Sequence, residues 1–163
     1  MSQRSPSRRR TRVATAERAA RVRAPAAPPP AVANLARALV ALGHGLSNPA
    51  SESTDAFHQF VAPFPDGSAL DGAAFQRALR LGSRYKVDLS PADDMFSTVE
   101  NPANNDGDTA QQFHVLHTVM SATLTDISTA FARGANVVRV RMWLFGRMKG
   151  GWLVGLRSES TET

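Results

Sequence analysis

The stretch TAQQFHVLHTVMSATLTDISTAFARG, residues 109–134, decides the fold, because it satisfies two periodicities at once. Phe113, Leu116, Met120, Ile127 and Phe131 fall at helical spacing, with Asp108 and Gln111 set out as a capping box. Phe113, Val115, His117 and Val119 also alternate as in a strand, and the segment SATLTD offers a break with Thr125 as the N-cap of a new helix. The crowding of β-formers and large apolar residues between 113 and 120 favours a strand over 112–120 and a short helix over 125–133. One long helix over 112–133 is the alternative.

Downstream, NVVRVRMWLFG (136–146) puts Val138, Val140, Met142 and Leu144 on one face. After RMKGG, GWLVGLRS (151–158) aligns Trp152, Val154 and Leu156, so the pair predicts an antiparallel hairpin. Arg139 and Arg141 share a face with Trp143 and read as solvated edge charges in preference to a phosphate-facing row. Upstream, ENPANNDGD (100–108) is a polar turn, and SRYKVDLS (83–90) alternates as a strand. DGAAFQRALRLG (71–82) reads as a short helix with Asp71 as N-cap. Residues 46–70 carry Pro49, Pro63 and Pro65 and are expected to drape irregularly over the core through Phe57, Phe60, Val61 and Phe64. Leu35, Leu39 and Leu42 predict a helix over about 31–42. The fold class expected is mainly β with short helices, an α+β body over 34–163.

Ahead of that body the composition changes. Residues 25–33 form an Ala/Pro linker, and residues 1–24 hold Arg4, Arg8, Arg9, Arg10, Arg12, Arg18, Arg21 and Arg23 against the single acid Glu17, a net charge of +7. The remaining 11 basic and 13 acidic residues leave the body at −2. A block of one sign repels itself, stays disordered and awaits a polyanion, and arginine forks onto phosphates and stacks on unpaired bases. These eight arginines are therefore the expected RNA-binding residues, making phosphate contacts without reading sequence. Ser5, which precedes Pro6, and Ser7 lie among them and would weaken binding if phosphorylated. An Arg-, Ser- and Ala-rich start is also what a cleaved organellar transit peptide looks like, which would leave a small α+β binding protein.

Chemistry-bearing motifs are sparse. There is no cysteine, no GxSxG, no phosphate-binding glycine loop and no HExxH. His114 and His117 stand three apart without a third ligand at metal-site spacing, and Asp93 and Asp94 read as a turn or helix start. The expectation is no catalytic residues, no metal, no cofactor and no enzyme. No run approaches 18 apolar residues and no secretory signal opens the chain, which predicts a soluble protein with no membrane partner.

The arm RSPSRRRTRVATAERAARVR, the helix AVANLARALVAL and the segment SATLTDISTAFARGANVVRVRMWLFG resemble bromovirus and cucumovirus coat proteins. The carriers are Ile127, Ser128, Phe131, Gly134 and Ala135, followed by a strand from Val137. The resemblance implies a jelly-roll capsid domain that self-assembles as a homo-oligomer and packages genomic RNA through the arm, in the virion and the host cytoplasm. FPDG (64–67), Arg84-Tyr85 and VENPAN resemble the helical-bundle coats of tobamoviruses, the alternative architecture, here ending in a β-hairpin.

Overall fold

The computed structural model describes residues 27–49, 55–135 and 139–161. Helix α1 (Pro30–Leu42) leads to strand β1 (His58–Pro63), helix α2 (Gly72–Ala78), strand β2 (Tyr85–Pro91), and helices α3 (Asp93–Val99) and α4 (Gly107–Thr123). Strands β3 (Thr125–Gly134), β4 (Arg139–Met148) and β5 (Trp152–Thr161) complete one antiparallel sheet of order β1-β5-β4-β3-β2. The mainly-β α+β class therefore holds. Among the described residues there is a single five-stranded sheet; they do not form the two facing sheets of an eight-stranded jelly roll, nor a helical-bundle coat.

Alternation along the strands gives the sheet two apolar faces, and both are covered. On one, α1, α3 and α4 bury Leu39, Phe96, Leu116 and Met120 against Met142, Leu144, Val154 and Leu156. On the other, α2 places Phe75 among Phe60, Trp143, Phe145 and Leu153. Gly155 lies opposite both Phe60 and Phe145, whose rings meet 5.8 Å apart. A Cβ at Gly155 would come within 2.1 Å of the Leu144 carbonyl oxygen, so this position has room for no side chain.

Several local expectations need correction. Residues 112–120 are helix, not strand, because Ala110, Phe113, Leu116 and Met120 carry the buried stripe while Val115 stays exposed. Its N-cap is Asp106, which accepts from the Thr109 amide at 2.9 Å and the Thr109 hydroxyl at 2.7 Å; the capping box expected at Asp108 and Gln111 is not the one used. Residues 125–133 are strand, not helix, and Thr125 opens β3 in place of capping a helix. Ala130 and Ala132, which read as helix formers, lie fully buried on the α2 face, so tertiary packing overrides propensity. Hence Ile127, Ser128, Phe131 and Gly134, carriers of the coat-protein resemblance, stand on a strand where that resemblance implies a short helix. The irregular stretch 46–70 contains β1, an edge strand, where Pro63 sacrifices no central ladder bond. The Ala/Pro linker ends early, because Pro30 occupies the first helical position of α1.

The hairpin prediction holds, with register running from Met148–Trp152 to Arg139–Thr161. Its loop places Gly150 and Gly151 at φ of 99° and 85°, and the Asp66 carboxylate accepts from both amides at 3.0 Å. Asp71 caps α2 as expected, accepting from the Ala74 amide at 2.7 Å.

Candidate functional site

The most structured polar constellation lies where α3, α4 and the start of β3 converge. The α3 helix ends at Glu100, whose amide donates to the Phe96 carbonyl, and the following NPANN turn caps it. Asn104 and Asn105 donate to the carbonyls of Thr98 and Val99 at 3.0 and 2.9 Å. This fixes Glu100 beside α4, where His114 and His117 stand one turn apart on the same helix face.

Both imidazoles meet that one carboxylate. His117 Nδ1 lies 2.6 Å from Glu100 Oε1, and His114 Nδ1 lies 3.1 Å from Oε2. The His117 ring stacks flat on the buried Phe96 ring, with centroids 3.9 Å apart and planes within 3°. With Nδ1–H donating to Glu100, the His117 ring is held in one orientation, and its neutral form presents Nε2 as an acceptor. His114 is more exposed, with 59% of its side-chain surface accessible against 30% for His117.

His117 lines a cavity of about 780 Å³ between α4 and the sheet. Leu70, Leu89, Leu124 and Ile127 supply apolar wall, and Asp93, Ser121, Asp126, Ser128 and Arg147 supply polar groups. The β3 bulge between Thr125 and Ser128, with Asp126 at φ 51°, shapes one wall. Asp126 Oδ2 lies 3.0 Å from Arg147 Nε, an ion pair by distance whose N–H is not aligned on the carboxylate. The Arg147 guanidinium also donates to the Ser68 carbonyl and sits 4.8 Å above the Phe64 ring, so the charge is held in place rather than free to swing. Asp93, in the first turn of α3, has no ion-pair partner among the described residues, which leaves the cavity wall with one uncompensated carboxylate.

The eight arm arginines, Arg4 through Arg23, lie outside the described residues. A strand over 112–120 would set His114 and His117 on opposite faces; the helix brings them together, and their three-residue spacing is the signal of it in the sequence. The partner carboxylate, Glu100, has no such mark, because nothing in a linear reading links it to a histidine 14 residues on. Among the described residues no group of three or more metal-ligating side chains is placed to hold an ion, and no helix is long and apolar enough to cross a membrane. No protein-family model matches the chain, and no curated protein matches it.

Proposed function

We propose that the body is a small-molecule-binding α+β module whose cavity between α4 and β3 takes a neutral or amine-bearing ligand with an apolar portion. One observation carries this reading: His117 lines the cavity with Nδ1 held by Glu100 and its ring flat on Phe96, so the ring is preoriented and its neutral form offers Nε2 as a hydrogen-bond acceptor. The ligand class follows from the wall. The apolar residues receive a hydrocarbon portion, Arg147 is neutralised by Asp126, and the remaining Asp93 disfavours an anion. A ligand-observed NMR screen of the full chain with matched neutral, amine-bearing and carboxylate-bearing aromatic fragments tests it. Hits should come from the first two sets and disappear with His117→Ala; hits dominated by carboxylates, or insensitive to that substitution, would refute the assignment.

A second reading is favoured by the segregation of charge, +7 in residues 1–24 against −2 in the rest. In it the protein is a viral coat that packages RNA through Arg4, Arg8, Arg9, Arg10, Arg12, Arg18, Arg21 and Arg23, self-assembles through its body and resides in the virion and host cytoplasm. The sandwich of helices around one sheet would then be the tiling unit. Sedimentation of the full chain at low and high salt, with absorbance ratios read across the gradient, tests it: fast nucleic-acid-rich particles support a coat, and a slow nucleic-acid-free species refutes it.

A further inference from the structure

We propose that the end of the sheet face left open beside α2 is a binding surface for single-stranded nucleic acid, built from Arg84, Arg141, Arg157 and Tyr85. The register places Arg157 directly opposite Trp143 and Arg141 opposite Glu159, on the same face as Phe145, which α2 covers through Phe75. Beyond that cover, two hollows of about 300 and 370 Å³ are both lined by Arg141, Trp143 and Arg157, so they adjoin along this triad. Tyr85 on β2 has the guanidinium of Arg84 5.2 Å and that of Arg141 5.3 Å from its ring centroid.

Charge sets the ligand's sign. Arg139, Arg141 and Arg157 gather with Glu159 and Asp55, and Arg84 joins Arg141 at the Tyr85 ring, so the four arginines outnumber the two carboxylates by two on a body whose net charge is −2. Arg139 and Arg141 share the one Glu159 carboxylate at 3.7 and 3.5 Å, and Arg157 has no carboxylate partner among the described residues. Guanidinium planes held against an aromatic ring are preorganised both for forked contact with phosphate oxygens and for stacking on a base. Cationic side chains tracking a backbone, interleaved with aromatic rings, are what sequence-tolerant single-strand binding requires. Val115, the large hydrophobic left exposed among the described residues, lies on α4 across the sheet, so this face offers no apolar anchor for a lipid surface. The surface shares neither residues nor ligand with the His117 cavity, and it shares only the class of ligand with the arm of the coat reading.

The test is fluorescence anisotropy of the full chain on a labelled 20-nucleotide oligouridylate between 50 and 300 mM salt. Three lost phosphate contacts in R84A/R141A/R157A should reduce the slope of log affinity against log salt by about 2, from roughly 0.7 per contact. R157A alone removes an exposed side chain without a carboxylate partner, so the fold is retained and the slope should fall by about 0.7. R141K/R157K should keep the slope of the wild type. A chain with its eight arm arginines changed to glutamine should retain a residual slope near −2, which separates failure of this surface from failure of the coat reading. Ultraviolet crosslinks should map to the peptide containing Tyr85. Wild-type slope and affinity in both alanine variants, crosslinks confined to residues 1–24, or equal competition by polyglutamate at matched charge would overturn the proposal.

Discussion

Replacing Phe75 by alanine should remove the anchor that holds α2 on the sheet. Phe75 is the one buried side chain of this seven-residue helix and is fully inaccessible. Its ring stacks on Phe145 at 4.7 Å and 25°, meets Trp143 edge-on at 5.4 Å and lies 6.1 Å from Phe60. Truncating a buried phenylalanine costs about 3–5 kcal/mol, and aromatic pairs add roughly 0.5–1.5 kcal/mol each beyond the area they bury. The gain in helix propensity is only about 0.5 kcal/mol, and a helix this short is not stable without packing. The net loss should be about 4 kcal/mol, a large fraction of the roughly 5–15 kcal/mol that holds a domain together. Urea unfolding followed by tryptophan fluorescence reads both effects, because Trp143 touches the deleted ring and should shift even in the folded baseline. A midpoint change equivalent to less than about 1.5 kcal/mol, with an unchanged native spectrum, would show that α2 does not depend on this residue.

Three further outcomes follow from local geometry. Gly155→Ala should cost at least about 3 kcal/mol or abolish soluble expression, since the new methyl would lie 2.6 Å from the Phe145 Cα as well as against the Leu144 carbonyl; a normal melting curve would contradict the packing. Asp66→Ala leaves the amides of Gly150 and Gly151 without their acceptor and should cost about 1 kcal/mol, with faster amide exchange confined to that hairpin loop. Asp106 is held below its ordinary carboxyl value of 3.8 by its backbone and side-chain hydrogen bonds from Thr109. Its stabilising effect is therefore present above that value and lost as pH falls through the lower, folded-state value. Melting temperatures of Asp106→Ala and the wild type should differ at pH 7 and converge in strong acid; a constant gap would count against a charged cap.

The hairpin and α2 were legible in the sequence because their signals are local: a glycine pair between alternating runs, and an N-cap aspartate before an apolar residue. The decisive stretch misleads because its two halves each obey the wrong local rule. Residues 113–119 alternate by accident of composition, although only the 3.6-residue stripe finds a core to enter. Residues 128–134 are alanine-rich, yet their small side chains fit beneath α2 and demand a strand. β1 was hidden by its prolines, which an edge strand tolerates. The His117 site was half visible, as two histidines one turn apart, and its other half, Glu100, is joined to them only by the turn at 101–105. Arg139 and Arg141 of β4 read in the sequence as solvated edge charges; what distinguishes Arg141 is its meeting with Arg84 at the Tyr85 ring and its place beside Arg157 of β5, which no linear window contains.

The most direct test of the central claim is a crystal structure of the full chain soaked with the strongest neutral or amine-bearing fragment from the screen. The account predicts the fragment in the cavity between α4 and β3, with a donor within hydrogen-bond distance of His117 Nε2 and its apolar part against Leu124 and Ile127. A fragment bound elsewhere, or seated there with His117 turned away from Glu100, would contradict it.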